Sequence, residues 1–226
     1  MRKTVLFVVL IISVSAVAGN VCSEDKALLE RIEWSDIWVV NANIDDLPRV
    51  LLVGDSIVRG YFATVEKELN GAADCARYAT SKFLGNPGYL AELELLLKEY
   101  RFDVVHINNG LHGWAYTEQQ YGDSIPKLLA MIQKQAPGAA LIWATTTPVR
   151  NRDDLSRLSD RTERVRERNR IALEILKKRG VPVDDLCGLV ENRPDFYAGD
   201  GTHFNEKGRA AQGKQVAETI RKFLPK

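Results

Sequence analysis

Two short groups of residues carry the chemistry this chain can do. Gly54-Asp55-Ser56 follows the apolar run Val50-Leu51-Leu52-Val53, and Asp200-Gly201-Thr202-His203 stands near the C-terminus. A serine at the exit of a buried strand is aimed into a cleft by the strand tip, where it can act as a nucleophile. A histidine three residues after an aspartate on one loop can take the serine proton while the carboxylate holds the imidazole in one tautomer. The two groups together describe a serine hydrolase with Ser56, Asp200 and His203 as catalytic residues. Ser56 also suits a helix N-cap, which does not conflict with catalysis because a cap exposes the hydroxyl at a helix N-terminus.

The elements that must position these residues follow from periodicity. Short apolar runs at Val50–Val53, Cys75–Ala79, Val104–Ile107, Ala140–Ala144 and Val181–Leu186 predict strands. Between them, Val58–Leu69, Pro87–Tyr100, Tyr121–Gln135, Asp160–Arg179 and Asn205–Phe223 predict helices. Leu90, Leu93, Leu97 and Tyr100 recur at helical spacing behind Asn86 as cap and Pro87 at the first helical position. In the fourth helix Leu158, Val165, Ala172 and Leu176 form an apolar stripe, and its many arginines alternate with acids as a solvated face would. Alternating β and α units predict a three-layer α/β/α sandwich around a flavodoxin-like, five-stranded parallel sheet. In such sheets the ligand cleft lies at the carboxyl ends of the strands. Ser56 follows the first strand and Asn108–Trp114 the third, so both point to one edge. Residues 20–49 hold a short helical pattern at Ala27–Ile32 and an apolar run at Ile37–Val40, and read as an extension, residues 19–49, packed on a domain spanning 50–226.

Composition limits the remaining possibilities. The 226 residues carry 45% hydrophobic and 27% charged side chains with a formal net charge of +1, ordinary for a globular domain. That balance gives no electrostatic footprint for nucleic acid or an anionic membrane. Arg2-Lys3, the apolar stretch Val5–Val14 and Ala16-Val17-Ala18 read as a secretory signal peptide, residues 1–18. Its apolar stretch is shorter than the roughly 20 residues a spanning helix needs, so the mature chain is expected outside the cytoplasm without stable membrane association. Cys22, Cys75 and Cys187 have no zinc-site spacing, though an oxidising compartment would allow one disulfide. Three histidines without ligand spacing, and the absence of both phosphate-binding glycine motifs, argue against metal and nucleotide chemistry. No cofactor is expected.

The sequence resembles the SGNH, or GDSL, hydrolase family over most of residues 50–223. Gly54-Asp55-Ser56-Ile57 is similar to the family's first block, Gly85-Asn86-Pro87 to the second, and Asp200-Gly201-Thr202-His203-Phe204-Asn205 to the fifth. Asp103-Val104-Val105 leading to Gly110 resembles the approach to the third block. There the family pattern reads Gly-x-Asn-Asp, whereas this chain reads Gly110-Leu111-His112-Gly113. The resemblance implies an oxyanion hole built from the Ser56 and Gly85 backbone amides, with His112 where the family has asparagine. Asn108 and Asn109 lie just upstream, and Asn109 is the alternative donor. For that role His112 is expected as a neutral imidazole donating one N–H. His106, inside a strand, reads as a satisfied buried histidine. Trp114 and Tyr116 are candidates to line the substrate cleft, and Trp143, at a strand end, is equally a core residue.

What the resemblance implies about activity is an extracytoplasmic ester hydrolase working through an acyl-enzyme, removing short acyl groups from a carbohydrate or a small ester. The alternatives are a lysophospholipase or thioesterase, an O-acetyltransferase using the same triad, and a non-catalytic carbohydrate-binding module on the same fold.

Overall fold

Strand β2 (Arg49–Gly54) explains the architecture. Its Val50-Leu51-Leu52-Val53 run is wholly buried, and successive side chains leave opposite faces. Val50 and Leu52 enter one apolar cluster, Leu51 and Val53 the other. A strand apolar on both faces must be covered on both. Helices α1 (Ser56–Glu68) and α6 (Glu206–Arg221) pack together over the first face. Helices α2 (Pro87–Glu99), α3 (Glu118–Gln135) and α4 (Arg161–Arg179) pack side by side on the second. The computed structural model describes residues 27–225; the signal peptide read at residues 1–18, and Cys22, lie outside them.

Strands β3 (Asp74–Thr80), β2, β4 (Val104–Ile107), β5 (Ala140–Ala144) and β8 (Val183–Asp184) run parallel in that order. This is the flavodoxin-like arrangement: β2 is laid between β3 and β4, and its connections leave in opposite directions. A sixth strand, β1 (Ser35–Val39), adds to the far edge antiparallel to β3, with Ile37 beside Tyr78. The run expected at Ile37–Val40 is this strand. The helical pattern at Ala27–Ile32 does not form a helix, because the segment lies across the domain and hydrogen-bonds to it. The last parallel strand is shorter than its apolar run, since Asp185 caps a short helix α5 (Leu186–Val190). A hairpin of β6 (Arg150–Asn151) and β7 (Asp154–Leu158) was not legible in the sequence. It takes Leu158 out of the apolar stripe assigned to the fourth helix.

The helix ends follow local chemistry. Asp55 caps α1 by accepting Ile57 N–H at 2.9 Å, and Asn86 caps α2 ahead of Pro87. Thr117 and Gln120 form a capping box on α3, and Gly180 closes α4 in the left-handed conformation. Trp143 belongs to the core.

Cys75 and Cys187 are free thiols. Burial, with Glu66 and Asp74 nearby, pushes the Cys75 thiol up to about 12, and burial pushes Cys187 up to about 11. The thiolate is the reactive form. Iodoacetamide at pH 8 is therefore expected to leave Cys75 unmodified in the native protein and to alkylate it in urea. Rapid native labelling at Cys75, read by peptide mass spectrometry, would contradict the packing of β3 described here.

Candidate active site

Ser56 opens α1 at the end of β2, and β2 pairs in parallel with β4, Val53 beside Ile107. The segments after both strands thus emerge together at the switch point of the sheet. The third component comes from the loop before α6. Gly201 lies in the left-handed region at φ 71°, and a Cβ there would collide with Arg150 O. Only glycine lets this turn lie against the β6–β7 hairpin, where Arg150 N–H donates to Gly201 O at 2.7 Å. Asn205 ends the loop by capping α6.

The turn brings three side chains into line. His203 Nε2 is 2.8 Å from Ser56 Oγ, and His203 Nδ1 is 2.6 Å from Asp200 Oδ2. Asp200 Oδ1 accepts the Thr202 and His203 backbone N–H groups, each at 2.9 Å. Burial opposes ionisation of Asp200, but the His203 side-chain bond and these backbone donors outweigh it and hold the carboxyl below its ordinary value. An ionised Asp200 only accepts, so the His203 proton sits on Nδ1 and Nε2 is left to receive the Ser56 hydroxyl proton. A hydroxyl, an imidazole and a carboxylate in this sequence of contacts can perform acyl transfer. Beneath them Asp55 is fully buried, and burial raises its carboxyl above the usual range.

The loop after β4 is held by cations that sequence reading placed on a solvated helix face. Arg168 is instead fully buried. Its guanidinium donates to Gly110 O and His112 O at 2.8 Å and to Gly113 O at 3.0 Å. It stacks on Trp114 and Tyr121 and has Glu118 as counter-charge at 3.4 Å. Arg164 adds bonds to Trp114 O and Tyr116 O. Charge alternation along α4 concealed this, because periodicity does not reveal which arginine turns inward.

The remaining predicted residues separate clearly. His112 is part-exposed beside the site; its Nδ1 lies 3.0 Å from Glu30 Oε2, and Gly113 N–H donates to Glu30 Oε1 at 2.9 Å. Sequence reading missed Glu30, which lies far from any motif. Asn109 is buried with Nδ2 donating to Lys82 O, and Asn108 donates to Ala144 O and Thr145 O. The Asn108 amide nitrogen is thus committed inside the fold, whereas Asn109 Nδ2 has one acceptor for its two hydrogens and Asn109 stays the alternative donor. Gly85 has room for no side chain, since a Cβ would meet Ser124 and Phe83; its N–H has no acceptor among the described residues. Trp114 and Tyr116 do not form a free substrate platform. Trp114 is caged by Arg161, Arg164 and Arg168, while Tyr116 stacks on Phe83 and its hydroxyl accepts Leu28 N–H. His106 is buried against Asp184 at 3.0 Å.

The groove beside Ser56 and His203 is instead walled by Arg59, Gly60, Arg209 and Gln212, with a volume of ≈ 280 Å³. No cluster of metal-ligating side chains occurs among the described residues. Replacing Arg168 by leucine strands three loop carbonyls, each costing about 1–3 kcal/mol if left unpaired. Even one such loss is expected to lower Tm by roughly 2–12 °C, with a drop in esterase kcat. Unchanged melting and turnover would show that the loop does not depend on this cation.

A model of the GDSL-like lipase/acylhydrolase family matches residues 52–211, from β2 into α6. A search of the curated proteins found no match. Among solved structures, an aryl esterase from M. smegmatis superposes with TM-score 0.67 at 15% identity, covering 78% of this chain and 100% of that one. A carbohydrate acetylesterase from Sinorhizobium meliloti gives 0.65 at 12% identity, over 77% and 99%. A GDSL-like lipase from Parabacteroides merdae gives 0.62 at 17% identity, over 77% and 95%. These likenesses concern the fold; the family match spans the serine, the loop after β4 and the Asp200–His203 turn. The chain belongs to the GDSL-like lipase/acylhydrolase family and is a serine ester hydrolase.

Proposed function

We propose that the protein removes short acyl groups, acetyl above all, from a carbohydrate, and that it does so outside the cytoplasm once residues 1–18 are cleaved. The contact series Ser56 Oγ–His203 Nε2–Asp200 Oδ2, at 2.8 and 2.6 Å, carries the catalytic part of this reading. His203 takes the Ser56 proton as Oγ attacks the ester carbonyl, and Asp200 stabilises the imidazolium that forms. His203 then protonates the departing alkoxide, and water, deprotonated by the same imidazole, releases the acid from the acyl-enzyme. The negative oxygen of each tetrahedral intermediate is held by the Ser56 amide, an orphan donor at the first turn of α1, by the Gly85 amide and by the His112 side chain.

The substrate class rests on the groove. Arg59 and Arg209 offer donors to a hydroxylated leaving group, and Ile57 and Phe204 are the apolar side chains of its wall. A long acyl chain gains its binding from apolar contact, at about 25 cal/mol per Å² buried, and this wall supplies little of it. A carbohydrate acetylesterase among the structures of the same fold agrees with the reading.

Ser56→Ala is expected to lower turnover of a small acetyl ester by about three or more orders of magnitude and to abolish labelling by a fluorophosphonate, with melting unchanged. Across acetyl, butyryl and octanoyl esters of one sugar, kcat/KM should fall with each lengthening. Preference for the octanoyl ester or for a lysophospholipid would replace the carbohydrate reading with the lipid one. Export predicts a mature chain beginning at or near Gly19 in the periplasm or medium, and an intact Met1 on the purified protein would refute it.

A further inference from the structure

The segment ahead of β1 is built into the site. Leu28 N–H donates to Tyr116 hydroxyl at 2.7 Å, Trp34 N–H to Ser81 Oγ at 2.9 Å, and Ser81 N–H returns to Trp34 O at 3.1 Å. Between these anchors Glu30 reaches the loop after β4 with both carboxylate oxygens, one on His112 Nδ1 and one on Gly113 N–H. Gly113 lies in the left-handed region at φ 69°, and a Cβ there would press on Phe83. The Trp34 ring and the His112 imidazole meet in a T-shaped arrangement, centroids 6.5 Å apart, and Arg59 lies over the Trp34 ring.

This geometry decides which proton His112 can offer. Glu30 accepts the Gly113 N–H through one oxygen and faces Nδ1 with the other, so it acts as an acceptor at both and Nδ1 carries a proton. In a neutral ring that is the only N–H, leaving Nε2 with a lone pair, which repels an oxyanion. Nε2 has no partner among the described residues, and the side chain is 18% exposed, so Nε2 is the ring nitrogen open to a substrate. It becomes a donor only if the ring is doubly protonated. The sequence expectation of a neutral imidazole donor therefore conflicts with the Glu30 contact.

We infer that Glu30 is a positioning residue that holds His112 as an imidazolium, whose Nε2–H is a charged donor to the oxyanion in place of the family's neutral asparagine. A carboxylate at 3.0 Å stabilises the charged ring, and a charge-assisted hydrogen bond is roughly twice as strong as a neutral one. The other groups facing the loop are Asp55 from the β2–α1 turn, whose carboxyl senses both His112 and His203, Arg59 over the Trp34 ring, and Arg168 on the His112 carbonyl. The Glu30 carboxylate faces the ring directly and offsets these cations, so the imidazolium does not stand in an uncompensated positive field. His112 gives up no proton during turnover; the serine proton moves only to His203 and back to the leaving group.

The inference rests on His112 facing the oxyanion, and the two can fail separately. With a small acetyl ester, wild-type kcat is expected to fall at alkaline pH if the charged His112 ring is the donor. Glu30→Ala should lower kcat by about 10- to 100-fold with little change in KM, no more than the roughly 10²–10³ cost of losing an oxyanion donor outright. Glu30→Gln is the informative variant. Its amide oxygen can still accept Gly113 N–H while its amide nitrogen donates to Nδ1, which moves the neutral ring's proton to Nε2. It should recover part of the activity lost in Glu30→Ala and abolish the alkaline fall, as should His112→Asn. In wild-type protein, ¹⁵N spectra should show both His112 ring nitrogens protonated at neutral pH. If Glu30→Ala and Glu30→Gln keep wild-type kcat, or lower it while keeping the alkaline fall, the imidazolium assignment is wrong. If His112→Ala is itself silent, the oxyanion role of His112 fails, and the assignment to Glu30 with it.

Discussion

The parallel ladder of β2 with β4 fixes where both strands end, and every part of the site refers to those two ends. Its backbone bonds lie inside a sheet covered on both faces, where an N–H or C=O released from the ladder has no water to turn to. Val53 beside Ile107 thus sets Ser56 next to the loop beginning at Asn108. The tip of β2 continues straight into α1, so the serine arrives at a helix N-terminus with its amide unspent. Nothing in the serine hydroxyl itself distinguishes it from any other; its placement at this edge does.

The other two components are attached to that edge by different physical means. The Asp200–His203 turn is short-range: a glycine conformation, backbone bonds onto one carboxylate oxygen and a helix cap determine it, and the β6–β7 hairpin supports it from behind. The loop after β4 is long-range. It has no regular structure of its own, and its carbonyls would be costly to bury without donors. Arg168 and Arg164 supply them from α4, and Glu30 supplies an acceptor from the chain's first described residues. The loop is therefore shaped by groups about 50 and 80 residues away in sequence.

The two histidines at this edge share one kind of contact and differ in the other. Each faces a carboxylate through Nδ1, Asp200 for His203 and Glu30 for His112. His203 also has a hydroxyl on Nε2, and a neutral ring satisfies both contacts at once. His112 has on Nδ1 a carboxylate that also accepts Gly113 N–H, and its Nε2 has no partner among the described residues. The same side chain thus meets two different surroundings at one edge of the sheet, a hydroxyl beyond the ring in one and no protein partner in the other.

The chain's periodicity and motifs determined the parallel sheet, the helices over it, the cap at Asn86, and the Ser56, Asp200 and His203 constellation. These features are local: an apolar run buried on both faces, a cap two residues from its amide, and a carboxylate and imidazole on one turn are all written within a few residues of each other. The edge strand β1 was visible only as an apolar run, because antiparallel pairing at a sheet edge leaves no signature in one strand alone. What Trp114 and Tyr116 do, why Arg168 is inside, and that Glu30 meets His112 were decided by tertiary structure. Each depends on which side chain of a helix or strap turns toward a distant loop, a choice made by unsatisfied carbonyls and charges in the assembled fold and by no pattern along the chain.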